Sequence, residues 1–134
     1  DAADAAADDA ADAPAIWDPH APAPALAIGT ASWTDPTLLV PGLFYPRGVA
    51  TPDARLRYYA ARYPMVEVDS TYYALPTRRV AELWAARTPD GFTFDVKAHA
   101  LLTGHPVEPK RLPRALRDRL PPSLAGANRI DGAD

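Results

Sequence analysis

The chain contains no cysteine, which excludes disulfides, zinc-thiolate sites and thiol nucleophiles and fits a cytoplasmic protein. No apolar run approaches the ~18 to 20 residues of a membrane span, and no basic segment followed by an apolar one marks it for export. Gly29 stands alone where a phosphate-cradling loop would need several glycines. Neither His-x-x-x-His nor a Glu flanked by ligand histidines occurs, so no metal and no cofactor is expected. Basic residues are also missing from the first 25 positions, which hold six Asp and leave 11 acidic and 14 basic residues for the remainder.

That imbalance divides the chain. Residues 1–25 are nearly all Ala, Asp and Pro, with Ile16, Trp17 and His20 as larger side chains, too little apolar surface to offset ordering. They are expected to form a disordered acidic tail, and residues 26–134 a folded, mildly basic body. The basic residues cluster only at Lys110, Arg111, Arg114, Arg117 and Arg119, a pattern that reads as a solvated helix face, with a nucleic-acid partner as the alternative.

Within the body, apolar patterning alternates between two periods. Leu26 to Thr30 reads as a first strand, followed by a long loop to about Ala50 that carries Trp33, Phe44 and Tyr45. Thr51-Pro52-Asp53 starts a helix, with threonine as cap, proline in the first turn and aspartate against the helix dipole. Leu56, Tyr59, Ala60 and Tyr63 form its buried stripe, and Pro64 ends it. Met65 to Asp69 is the second strand. Thr77 opens a second helix with Val80, Leu83 and Trp84 on its apolar face, Pro89-Asp90-Gly91 supplies a turn, and Phe92 to Lys97 is the third strand.

The strand faces carry the chemistry. Period-two alternation puts Glu67 and Asp69 on one face of the second strand and Val66 and Val68 on the other. In the third strand Phe92, Phe94 and Val96 share one face, and Thr93, Asp95 and Lys97 the opposite one. Alternating strands and helices imply parallel strands with right-handed crossovers, and the retained polar face favours a β/α barrel over an open doubly wound sheet. The apolar residues would then pack under the helices. Glu67, Asp69, Asp95 and Lys97 would line the interior toward the catalytic end.

Several segments together carry a family likeness: Gly29-Thr30-Ala31-Ser32-Trp33-Thr34-Asp35-Pro36-Thr37-Leu38, Phe44-Tyr45-Pro46, Val66 to Pro76, Thr88-Pro89-Asp90-Gly91-Phe92 and Val96-Lys97-Ala98. From about Ile28 to Leu120 the chain resembles the YecE-like family, domain of unknown function 72. The resemblance implies a TIM-type β/α barrel with polar and aromatic residues at the C-terminal strand ends, and no established reaction. By position it carries over onto Trp33, Glu67, Asp69, Thr71, Tyr73 and Lys97. The segment Leu102 to Pro106 adds His105, while His99 departs from the family pattern. A barrel needs eight strands and typically ~250 residues, so the chain is expected to supply the first three to four βα units of an incomplete barrel.

Two readings of the polar set stay open. Glu67, Asp69 and Lys97 are candidate catalytic residues, in which lysine and carboxylates tune one another for acid or base work; the same three could form a structural ion-pair network. A lysine beside two acids keeps its proton, which argues against Schiff-base chemistry. Trp33, Tyr45 and Tyr73, with Thr71 and His105, are candidate binding residues; the aromatics could stack a flat ring or sugar, or simply plug the barrel mouth. The reading is a hydrolase or lyase acting on an unknown small polar or sugar-like ligand. The alternatives are a nucleic-acid-binding or metal-dependent phosphodiester-processing barrel, with His99 or His105 joining the acids, and an inactive truncated chain with an open sheet edge.

Overall fold

The computed structural model describes residues 14–22 and 26–131. They fall into two compact units, the first comprising Asp1–Glu67 and Arg78–Asp95, the second Val68–Thr77 and Val96–Asp134. The architecture is mixed α/β. Its elements are α1 (Pro52–Ala60), β1 (Met65–Val68), a 3₁₀ turn (Asp69–Tyr72), α2 (Arg78–Ala86), β2 (Thr93–Val96), 3₁₀ turns at Ala100–Thr103 and Pro109–Arg111, α3 (Arg114–Arg117) and α4 (Pro122–Ala125).

The first helix forms as its sequence directs. Thr51 Oγ1 accepts from Ala54 N at 3.1 Å, and Asp53 stands in the first turn. Leu56, Tyr59 and Ala60 are fully buried, whereas Tyr63 is half-buried beyond the helix end. Each large apolar side chain so buried contributes roughly 1.5–3 kcal/mol. In the same unit Tyr45, Val49 and Ala54 form a cluster closed by Leu38, Leu39, Phe44 and Tyr58. Asp53 is bridged by Arg57 (3.3 Å) and Arg87 (2.5 Å).

β1 and β2 form a two-stranded sheet. Thr93 N donates to Pro64 O and Lys97 N to Val68 O; the constant sequence offset between partners is the signature of a parallel pair. Val66 and Val68 are buried while Met65 and Glu67 are half-buried, so the period-two reading of this strand agrees with the structure. The expected first strand does not form. Leu26 and Ile28 are exposed, and pairing is limited to one parallel bridge between Ala31 and Glu67, with Glu67 N bound to Thr30 O and Ser32 N to Glu67 O. Gly29 is held where a Cβ would lie 2.3 Å from Met65 O, so that approach requires glycine.

Two further expectations are corrected. α2 has no buried residue: Val80 and Leu83 are exposed, and Trp84 alone is half-buried, edge-on to Trp33 and stacked on Phe94. Val96, expected to pack under a helix, is 55% exposed. Among the described residues β2 pairs with β1 alone. Two parallel strands stand where three to four βα units were expected, and no barrel closes among the described residues.

The disordered tail expected over residues 1–25 lies partly outside the described residues. Within 14–22, Ile16 N donates to Ala61 O (2.7 Å) and Trp17 Nε1 to Ala60 O (2.8 Å). Gly91, at φ +81, leaves no room for a Cβ against Pro19 O.

In the second unit Ala100, Val107, Leu112 and Ile130 are buried together, with Tyr72, Leu101, Leu120, Leu124 and Ala127 around them. Val107 and Ile130 form an antiparallel bridge, exchanging hydrogen bonds of 2.8 and 2.9 Å. That bridge joins positions far apart in sequence and fixes the residues on either side of it.

Candidate functional site

Three of the sequence-derived candidates, Trp33, Tyr45 and Glu67, belong to the first unit. Tyr45 is 6% exposed, its hydroxyl donates to Trp33 O, and burial pushes its pKa upward. A ring so enclosed is a core element, with no face open for stacking. Trp33 is half-buried and edge-on to Trp84 (5.5 Å) and Phe94 (6.4 Å). Glu67 is half-buried, its backbone tied to Thr30 and Ser32. Ser32 holds φ 88, a conformation that costs a non-glycine residue about 1–3 kcal/mol. The hydrogen bonds Thr30 Oγ1 to Ser32 O (2.9 Å) and Thr34 N to Ser32 Oγ (3.0 Å) hold it there.

Asp69, Thr71, Tyr73, Lys97 and His105 all belong to the second unit. Asp69 is not a strand residue as the alternation implied; β1 ends at Val68 and Asp69 opens the 3₁₀ turn. The turn aims its carboxylate at Lys97, whose Nζ lies 2.7 Å from Asp69 Oδ1. With side chains 38% and 48% exposed, this pair contributes at most about 1 kcal/mol of stability. What it offers is position. Lys97 Nζ also stands 5.9 Å from the centre of the Tyr72 ring.

Thr71 braces the strand ends. It is 1% exposed, and its Oγ1 lies 2.7 Å from Val68 O and 2.6 Å from Lys97 O. One hydroxyl proton serves both carbonyls, so the last residue of β1 and the first beyond β2 are held together by a single side chain.

Tyr72, Tyr73 and His105 line a cavity of about 300 Å³, together with Glu108, Arg111 and Arg129. Tyr73 is 58% exposed, packed edge-on to Tyr72 at 5.1 Å, and Tyr72 is edge-on to His105 at 5.8 Å. Thr103 Oγ1 donates to Ala100 O (2.9 Å) and lies 2.9 Å from His105 Nδ1. Its only proton is committed, so it accepts from Nδ1–H, and the neutral imidazole presents Nε2 as an acceptor. The neighbouring Lys110 ammonium and the Arg111 guanidinium hold the Glu108 carboxyl below its usual range.

Sequence reasoning missed Tyr72, Glu108 and Arg129, which reach this cavity through the 3₁₀ turn and the Val107–Ile130 bridge. It gave His99 a part only in the metal-dependent alternative; the residue is buried, its Nδ1 accepts from Leu101 N at 3.3 Å, capping the next turn, and its Nε2 has no hydrogen-bond partner among the described residues. Of the basic cluster, Lys110 and Arg111 pair with Glu108, and Arg114 with Asp118. Among the described residues no three His, Asp or Glu side chains are grouped to hold a metal, and no helix is long and apolar enough to cross a membrane.

Comparison with known proteins places the chain in a family. The family model described as "Protein of unknown function DUF72" matches residues 27–126. The UPF0759 protein YunF of Bacillus subtilis (strain 168) is 36% identical over 78 residues, an alignment covering 58% of this chain and 26% of that relative. The chain therefore spans about a quarter of the curated relative it matches. No solved structure matches. With the family model covering most of its length, the chain belongs to DUF72, the YecE-like family of unknown function.

Proposed function

We propose that this chain supplies the first βα units of a TIM-type barrel whose polar pocket binds a small, sugar-like ligand, and that the complete protein acts on it as a hydrolase or lyase. The parallel pairing of β1 with β2 and the single parallel bridge from Ala31 support the barrel. The observation that carries the functional reading is the Asp69–Lys97 ion pair at the C-terminal strand ends, in the same unit as an aromatic-lined cavity that shares Tyr72 with it. Catalytic groups of β/α barrels gather at that end of the strands.

In this reading the Lys97 ammonium supplies positive charge, or a proton, to an oxygen that gains negative charge as a bond breaks. Asp69 fixes where that ammonium points. The open face of Tyr73 takes the apolar face of a sugar ring, and His105 Nε2 accepts from a hydroxyl. Trp33 and Glu67 have no part assigned in this unit, and Tyr45 is structural.

The test is a titration of the labelled chain with glucose and methyl glucoside, followed by backbone NMR shifts. The reading expects saturable shifts at Tyr72, Tyr73 and His105, weakened about ten-fold in Tyr73→Ala, the equivalent of roughly 1.5 kcal/mol of ring contact. A well-dispersed spectrum that does not respond to either sugar defeats it.

A further inference from the structure

We propose that the cavity of the second unit is an anion-selective site, taking a single sugar-sized ring that carries one carboxylate or phosphate group. This rests on the ligand-binding reading above and adds the charge of the ligand. The cavity wall is built by the Val107–Ile130 bridge, which sets Glu108 and Arg129 beside each other on facing segments. Both strands of that bridge are buried at the bridging residues, so the two side chains spring from a fixed base.

The charges are unequal. Glu108 is the carboxylate of the lining, and it is engaged by Lys110 Nζ at 2.9 Å and Arg111 Nε at 3.5 Å. Arg129 makes no hydrogen bond or ion pair among the described residues, yet it lines this cavity and the adjoining one of about 420 Å³. A guanidinium presents a planar fork of donors that matches a carboxylate or phosphate, and here that fork is uncommitted. On the wall the carboxylate is thus outnumbered: Arg111 and Arg129 against Glu108, with Lys110 engaging that carboxylate from the adjoining pocket.

Size and rings define the rest of the ligand. About 300 Å³ stands at the low end of the ~300–1,000 Å³ range of ligand pockets, room for one ring and one charged group but not for a dinucleotide. Tyr72 and Tyr73 supply the ring surface, and His105 Nε2 the acceptor for a hydroxyl.

The experiment titrates the chain at low ionic strength with glucuronate, phenyl phosphate, glucose and inorganic phosphate, by calorimetry or NMR. Glucuronate is expected to bind at least roughly ten-fold more tightly than glucose, the value of one hydrogen bond to a charged group, and Arg129→Gln should erase that advantage. Tighter binding of glucuronate identifies a carboxylate ligand, and tighter binding of phenyl phosphate a phosphomonoester. Equal affinity for glucose and glucuronate, with phenyl phosphate silent, overturns the anion site and leaves the sugar-binding reading intact. Inorganic phosphate binding as tightly as either ring-bearing anion overturns the ring requirement. An Arg129→Gln protein that keeps its full preference for glucuronate overturns the assignment to Arg129.

Discussion

Thr71→Val changes one atom group at the point where the strand ends meet. The side chain is 1% exposed and its hydroxyl stands 2.7 and 2.6 Å from two backbone carbonyl oxygens. Valine fills nearly the same volume but removes the shared proton and sets a methyl against both oxygens. Removing the partner of a buried acceptor costs about 1–3 kcal/mol. With an m-value of about 1–3 kcal/mol/M in urea, the unfolding midpoint should fall by roughly 1 M with m unchanged. Thr71→Ser keeps the hydroxyl and deletes one methyl, a loss of only about 0.8 kcal/mol. Urea unfolding followed by circular dichroism reads both variants. If valine is tolerated within about 0.3 kcal/mol, or serine proves worse than valine, the hydroxyl brace is not what holds the strand ends.

Two further outcomes follow from the same packing. Burial raises the Tyr45 and Tyr59 hydroxyls above the ordinary value of 10.0. Above that pH the unfolded chain releases protons that the folded chain retains, so stability is level below it and declines as pH rises further; Tyr45→Phe should flatten that decline, and a midpoint level through the alkaline range would refute the burial argument. Gly29→Ala places a methyl 2.3 Å from Met65 O. It should destabilise by about 1–3 kcal/mol or more, seen as a lowered melting temperature, and a wild-type melting curve would mean the Gly29–Met65 approach is not that close in solution.

The legible parts of this fold were those determined by near neighbours. Thr51-Pro52-Asp53 specifies a helix start through bonds reaching three residues ahead, and the Val66/Val68 alternation specifies the buried face of β1. Asp69 escaped the same rule, because the chain turns after Val68 and period two stops there. Tyr45 looked like a loop aromatic; its place in the core depends on Trp33, Ala54 and Tyr58, which only folding brings around it. The charge run from Lys110 to Arg119 drew notice as a block, yet Lys110, Arg111 and Arg114 are paired locally. Arg129, outside that block, reaches the cavity through the Val107–Ile130 bridge, and no spacing rule announces a contact over that separation.

Most direct of all is a titration of the labelled wild-type chain with glucuronate, read by backbone NMR. Saturable shifts at Tyr72, Tyr73, His105 and Arg129 and in the Asp69–Lys97 neighbourhood, with the Tyr45 core silent, are the predicted result. A folded spectrum that stays unchanged, or shifts centred on Trp33 and Tyr45, would contradict a ligand site in the second unit.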